Sequence, residues 1–216
     1  MNPITNKQLL EALNWRYATK QFDSAKKIPA DTIAALEESL VLSASSFGLQ
    51  PYRFLIINDK TVREKLLPHT WGQKQVVDAS HYVVFAARTG ITEREIDAFL
   101  KLTADTRGVA VESLNGYRGM MTGMLLADSF KPKVTQWATL QAYLALGNLL
   151  TSAGLLGVDA CPMEGFVPAE YDKVLGLPEQ GYASVVCCAL GYRAATDKYA
   201  TAKKVRGAKS DLVKVI

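Results

Sequence analysis

The chain is expected to fold as an α+β protein, and three observations predict it. Residues 134–156 are apolar on nearly every face, which marks one long helix buried all round. Phe54–Ile57 and Tyr82–Ala87 are short unbroken apolar runs, and Ala183–Leu190 is apolar apart from Ser184, the signature of buried strands. Thr5-Asn6-Lys7-Gln8 and Thr92-Glu93-Arg94-Glu95 both match the capping box that opens helices. The spacing of the strands does not suit a βαβ repeat, so helices dominate and the strands are scattered among them.

The elements follow in order. After Thr5, Leu9, Leu10, Leu13 and Tyr17 recur at helical spacing, so a first helix runs to about Tyr17. Ile33, Leu36 and Leu40 share one face of a second helix over about 30–42, which ends in the hydroxyl-rich loop Ser43–Pro51. The strand Phe54–Ile57 follows, and Asp59 caps a short helix to Leu67. A helical stretch over about 73–79 leads into Tyr82–Ala87, and Thr92 opens a helix to about Thr106. Residues 109–127 read as a helix weakened by Gly116, Gly119 and Gly123, hence mobile. Beyond the long helix come a short strand at 158–161, a helix opened by Pro168 and the strand Ala183–Leu190. The last stretch, 192–216, is polar and patternless until Leu212-Val213.

Composition excludes several classes. At 216 residues with 49% hydrophobic and 21% charged content, the chain has the balance of one globular domain with a real core. Its formal net charge of +4 is mild, and no Lys/Arg run exceeds two residues, so a nucleic-acid partner is not expected. An anionic small molecule fits better. Cys187 and Cys188 are neighbours in a strand, where side chains alternate faces, and with Cys161 they read as reduced core thiols. The N-terminal residues have no apolar signal region, and no run is long enough to span a membrane. A cytoplasmic location is expected.

The two histidines, His69 and His81, lie in no metal-ligand spacing, and His81 is expected to be a packed residue. No nucleophile elbow, P-loop or Gly-rich dinucleotide fingerprint occurs. An enzyme of this composition leaves the hard chemistry to an organic cofactor. Three segments suit one with an anionic tail and a flat polar ring: Arg16–Asp23 near the start, Pro162-Met163-Glu164-Gly165-Phe166, and Lys203-Lys204-Val205-Arg206 near the finish. On their own, Arg16 and Lys20 read as cations at a helix end, where the dipole welcomes them. Lys203–Arg206 reads alone as a solvated basic patch, and the serine loop as a helix terminator with local bonding.

Taken together and in this order, these segments resemble the FMN-dependent nitroreductase family from Leu9 to Arg206. The resemblance implies a nitroreductase-like fold, a central, mostly antiparallel sheet flanked by helices, in an intertwined homodimer. It also implies roles. Arg16 with the N–H groups of Tyr17 and Ala18 would hold the FMN phosphate, and Lys20 would face the N1/O2 edge of the ring, where a cation favours the reduced anion. Ala18 stands where the family usually has a hydroxyl, so only backbone contact remains there. Ser43, Ala44 and Ser45 correspond to a loop reaching the partner's flavin; Ala44 replaces its usual Pro and Gly48 its usual Asn. Gln73 and Gln75 fall in the segment that meets the pyrimidine edge, with Gly72 replacing the common Asn. Pro162 and Met163 would pack near the ring, and the N–H groups of Glu164 and Gly165 would face N5 and O4. Glu164 would thereby tune the flavin, as would Lys20. Lys204 and Arg206 would close over the phosphate.

The implied activity is ping-pong hydride transfer: NADH or NADPH reduces FMN, and a nitroaromatic, a quinone or a free flavin then takes the hydride. No side chain acts as a catalytic acid, base or nucleophile, and no metal or membrane is involved. The same fold leaves open a reductive dehalogenase or flavin-processing enzyme, and a non-catalytic FMN-binding protein remains an alternative. Residues 109–127 are expected to form a lid over the acceptor, with Tyr117, Met120, Met121 and Met124 as its adaptable surface. The stretch 192–216 is expected to extend over the partner subunit.

Overall fold

Residues 3–216 are described by a computed structural model. Its elements are α1 (Asn6–Trp15), α2 (Ala30–Val41), β1 (Tyr52–Ile57), α3 (Lys60–Leu66), α4 (Gln75–Asp78), β2 (His81–Arg88), α5 (Glu93–Arg107), α6 (Asn115–Leu125), α7 (Val134–Leu155), β3 (Asp159–Met163), α8 (Pro168–Leu175), β4 (Tyr182–Gly191) and α9 (Lys209–Leu212). The four strands form one sheet in the order β1-β2-β4-β3, antiparallel at every pair. Both capping boxes expected from the sequence are present, at Thr5 and Thr92, and Asp59 accepts from the N–H groups of Thr61 and Val62.

Helices cover both faces of the sheet, which is why its strands are apolar without alternation. On one face α7 lays Ala142, Ala145 and Leu149 against Val83, Phe85, Val186 and Cys188, and α2 adds Leu36 and Leu40. On the other face α3, α4 and α8 bring Leu66, Val76 and Tyr171 onto Tyr82, Val84 and Cys187. The adjacent cysteines therefore belong to opposite faces, and all three thiols are free and buried. A third cluster joins α5 and α6 to the start of α7 through Ile96, Leu100, Met121, Leu125 and Val134.

Several boundaries differ from the sequence reading. The first helix stops at Trp15, because Arg16 turns extended (φ −69, ψ 141) and Ala18 bridges to Ala160 beside β3. The helical stretch before β2 is shorter than expected, Gln75–Asp78. Pro162 and Met163 extend the short strand expected at 158–161: they pair with Cys188 and Cys187. Because β3 is an edge strand, a Pro there costs the sheet little. Residues 109–127 divide into a 3-10 turn, Val111–Leu114, and α6.

The long helix is not buried all round within the chain. Leu140 and Leu144 are 59% and 58% exposed, while Ala138, Ala142, Ala145 and Leu149 face the core. A helix can be apolar throughout and still leave one stripe uncovered when a single sheet face is all it packs on.

One ion had no sequence signal. Arg63 of α3 is 5% exposed, and its guanidinium donates to the carbonyls of Ile57 (2.6 Å), Ala79 (2.7 Å) and Ser80 (3.0 Å). It thereby pins the end of β1 and the start of β2 to one helix. Burial lowers its pKa, with no carboxylate in the site to offset that. His81 next to it is half-buried, bonded to Ser80 at 3.0 Å, and held below its usual pKa by burial first and then by Arg63 and Lys27. It is a packed residue, as expected.

Candidate functional site

The site is built where the two ends of the chain meet beside the edge strand β3. From α1 the chain runs extended: Thr19 N–H reaches Ala160 C=O at 3.4 Å, and Thr19 Oγ1 donates to Asp159 Oδ1 at 3.2 Å. Asp159 is 3% exposed and also receives Arg193, by its N–H at 2.8 Å and its guanidinium at 2.6–3.0 Å. That guanidinium lies 4.3 Å from the Trp15 ring and 4.6 Å from the Tyr17 ring. A buried carboxylate paired with a guanidinium that also lies over two aromatic rings is a rigid peg. It fixes the N-terminal segment and the start of the tail onto one strand end.

A close crossing completes the junction. Phe22 bridges to Arg193, and a Cβ added to Gly191 would stand 2.9 Å from the Phe22 ring and 3.1 Å from Ser80 N. Only glycine lets the segment pass so near the end of β4. Residues 194–202 then fold back in tight turns, and Asp197 accepts the N–H groups of Lys20 (2.7 Å), Gln21 (3.0 Å) and Tyr199 (3.0 Å). Lys204 Nζ donates to Leu13 C=O at 2.7 Å and to Arg16 C=O, capping the carbonyl end of α1.

These ties enclose a cavity of about 360 Å³ lined by Arg16, Lys20, Lys203, Lys204 and Arg206, with no acidic residue on its wall. Its cations are crowded. Lys204 is held below the usual lysine pKa, first by burial and then by Arg16 and Arg206. Arg16 Nε is sealed from solvent without a hydrogen-bond partner, whereas the Tyr17 phenol faces the Asp197 carboxylate. A buried donor without a partner is rare, and one among cations is suited to an anion. Sequence reasoning named Arg16, Tyr17, Ala18, Lys20, Lys204 and Arg206, and the structure brings all six together here.

Lys20 also lines a second cavity, about 440 Å³, shared with Gln73, Lys74 and Gln75. Gln75 is buried, while Gln73 Nε2 donates to Gly165 C=O at 2.9 Å. Pro162 and Glu164 line a third cavity, about 380 Å³, with Tyr143, Leu146 and Leu150 of α7. Tyr143 Oη donates to Glu164 Oε1 at 2.5 Å, and burial, then that carboxylate, lift its phenol above the usual tyrosine range. The N–H groups of Glu164 and Gly165 have no acceptor among the described residues, so both remain free donors. Met163 is buried, 3% exposed, so its side chain belongs to the core and only its backbone reaches this region. The close approach at Gly165 comes from an unexpected neighbour. A Cβ there would lie 2.7 Å from Gln73 Nε2 and 3.0 Å from the Trp71 ring, carried by a left-handed turn at Trp71 (φ 53).

The serine loop lies apart from these cavities. Ser43 is buried: its hydroxyl donates to Ser39 C=O at 2.9 Å and accepts from Asn148 at 3.0 Å. Ser45 Oγ accepts from Gln50 N–H at 3.0 Å, and Ala44 is exposed. None of the three lines the cation cleft or the two cavities beside it. The site residues that sequence reasoning missed are Asp159, Asp197 and Arg193. A polar Asp inside the apolar segment 158–161 was a usable signal for the first, whereas Asp197 and Arg193 sit in a stretch with no periodicity.

The sequence model of the nitroreductase family matches residues 13–192. The chain belongs to that family. Lys204 and Arg206 lie beyond the matched range. Two curated family members have nearly the same length. One from Staphylococcus haemolyticus, provisionally named an NAD(P)H nitroreductase, is 35% identical, covering 96% of this chain and 97% of its own. One from Staphylococcus epidermidis with the same provisional name is 34% identical over 96% of both chains. A nitroreductase-like protein from Streptococcus mutans superposes with a TM-score of 0.83 at 20% identity, covering 98% of this chain and all of its own. A protein from Exiguobacterium sibiricum, provisionally named a nitroreductase and solved in complex with FMN, does so with a TM-score of 0.81 at 19% identity, covering 100% and 99%. The nitroreductase fold is therefore shared, and in this chain its sheet is antiparallel throughout.

Within this family member the buried phenol of Tyr17 gives a pH signature. Burial first, and the Asp197 carboxylate second, push its pKa from 10.0 to about 12. A raised acid favours the neutral phenol in the folded state. Its contribution to stability is complete below pH 10 and is lost as pH rises through about 12. Unfolding midpoints measured across alkaline pH should fall more steeply in the wild type than in Tyr17→Phe. Parallel profiles would show that the phenol is not held in this way.

Proposed function

We propose that the chain is an FMN-dependent oxidoreductase using NADH or NADPH. The observation that carries this reading is the cleft of five cations without an acid, holding the unpartnered Arg16 Nε and opening through Lys20 onto an amide-lined cavity. The residues fit the cofactor. Arg16, Lys203, Lys204 and Arg206 suit a phosphate dianion, since Lys204 spends only two of its three N–H donors on carbonyls. Lys20, Gln73 and Gln75 suit the polar edge of a ring, and the free N–H groups of Glu164 and Gly165 suit acceptors whose charge changes with reduction. The provisional names of the staphylococcal relatives and the FMN complex of the Exiguobacterium neighbour support the same reading. When bound, FMN would supply hydride transfer from the nicotinamide to a nitroaromatic, a quinone or a free flavin. Purified protein should show a flavin visible spectrum, either as isolated or after adding FMN. Arg16→Ala should weaken FMN binding by about 1.5–3 kcal/mol, the worth of a charge-assisted bond. A wild-type protein that takes up no FMN would end this reading.

The reading includes a homodimer. Leu140 and Leu144 of α7, Val41 and Leu42 at the end of α2 and Leu10 of α1 are each more than half exposed, on helices that pack on one another. Burying such a face between two copies is favourable by about 25 cal/mol per Å². The loop Ser43–Ser45 follows directly from this face and is proposed to reach the partner's cleft, as are the exposed residues 205–216 of the tail. Sedimentation of the FMN-bound protein should give a dimer, with Leu144→Lys shifting it toward monomer. A wild-type monomer that holds FMN would exclude it.

The acceptor-selecting role of α6 is part of the same proposal, in altered form. Met121 and Leu125 are fully buried and anchor the helix, Tyr117 Oη donates to Phe47 C=O at 2.7 Å, and Arg118 pairs with Asp97 and Glu93. Met120 and Met124 are the exposed pair, 62% and 41%. Replacing both by Ala should change the relative rates with quinones and nitroaromatics while the melting temperature holds. Met121→Ala should instead cost about 2–5 kcal/mol of stability, as a core truncation does. Unchanged acceptor preference in the double variant would leave α6 a plain surface helix.

A further inference from the structure

Asp197 lies in the part of the chain with least pattern, yet both walls of the cation cleft hang on it. Its carboxylate is 4% exposed, and its two oxygens face different segments. Oδ2 accepts the N–H groups of Lys20 and Gln21, at 2.7 and 3.0 Å, on the wall that carries Arg16. Oδ1 accepts the N–H of Tyr199, at 3.0 Å, on the wall that leads to Lys203, Lys204 and Arg206. Its backbone joins the same turn, donating to Ala194 C=O at 3.0 Å and accepting from Ala200 N–H at 3.1 Å.

We propose that Asp197 is the positioning residue that assembles the anion cleft, one oxygen holding each wall and its charge offsetting the cations between them. The identity of the anion, an FMN phosphate, rests on the function proposed above; the clamp itself is a property of this chain alone. Several cations gathered without counter-charge repel one another, and at Lys204 this repulsion from Arg16 and Arg206 adds to burial in lowering the pKa. A buried carboxylate behind them balances that repulsion without occupying the cleft. Burial opposes its ionisation, but the N–H donors of Tyr199, Gln21 and Lys20 outweigh burial and hold it below the usual carboxylate range. It is therefore ionised whenever the protein is near neutral pH. A cleft assembled in advance spares the ligand the entropy of ordering the tail, which is how preorganisation raises affinity.

The chemistry of the side chain makes the proposal sharp. A carboxylate offers two acceptor oxygens, whereas an amide of the same shape offers one acceptor and one donor. In Asp197→Asn the amide can serve only one wall, and its NH₂ group must face the N–H of the other. Residue-resolved amide exchange on the full-length protein, with and without added FMN, tests this directly. Either the Lys20 and Gln21 amides or the Tyr199 amide should lose protection in Asp197→Asn, while amides of β2, β4 and α7 keep theirs. The FMN dissociation constant should rise at least about tenfold, the scale of a lost charge-assisted contact. Asp197→Glu, which keeps the charge and both oxygens, should fall between wild type and Asp197→Asn in both measurements. Wild-type protection of all three amides together with wild-type affinity in Asp197→Asn would overturn the proposal. So would loss of protection spreading through the sheet, or an Asp197→Glu variant no better than Asp197→Asn. If the wild type binds no FMN, the proposed cofactor is wrong, and the exchange pattern alone still decides whether Asp197 holds the walls.

Discussion

The two buried carboxylates at the junction of the chain ends are the constraint on which the rest depends. Asp159 stands at the first residue of the edge strand and is bonded to Thr19 and Arg193; Asp197 stands in the tail and is bonded to Lys20, Gln21 and Tyr199. Residues more than 170 positions apart are thereby held within hydrogen-bond distance. A buried carboxylate that lost its donors would carry a large desolvation penalty, so each of the two strongly favours keeping its contacts. The cations that line the cleft are positioned as a consequence. Arg16 and Lys20 sit on the segment that Asp159 fixes, and Lys204 reaches the end of α1 only because the tail has been turned back toward it.

The packing of the sheet explains why this junction lies at an edge. Helices occupy both faces, so the middle of the sheet is covered and open space lies toward its β3 end. What remains open is the outer side of β3, where Pro162 removes a ladder donor and where the chain leaves the sheet at Glu164 and Gly165 with its N–H groups free. The side chains nearest this edge come from elements far apart in sequence: Tyr143 from α7, Gln73 and Trp71 from the turn before α4, and Lys20 from the segment after α1. A cofactor that brings its own reactivity needs only such a frame, with donors of fixed direction and cations at one end. Acceptors differ within this fold, since an enone reductase superposes on this chain with a TM-score of 0.80 at 20% identity. Fold alone does not choose among them.

Much of the fold and half of the site were legible in the residues themselves. Helix starts were readable because a capping box is a local bond, satisfied within four residues, as at Thr5 and Thr92. Strands were readable because burial on both faces demands an unbroken apolar run. The basic segments at either end were readable only through their order along the chain, since each alone reads as a helix-end charge or a solvated patch. The burial of α7 was misjudged: an apolar helix sequence states that its faces dislike water, but not which of them its own chain covers, and Leu140 and Leu144 remain bare.

Tertiary structure decided everything that rests on a partner distant in sequence. Whether Met121 faces solvent or core depends on where α6 lands on α5, and the period of one helix does not contain that. Arg63 gives no sign of being buried, because its acceptors are three backbone carbonyls, which every residue possesses. Asp197 and Arg193 lie in a stretch with no repeating pattern, since the bonds that order it run to the other end of the chain rather than along it. The sequence by itself determined the elements, the balance of charge and the family; the convergence of two chain ends on two buried carboxylates was decided only by the fold, because hydrogen bonds across 140 or more residues leave no local period to read.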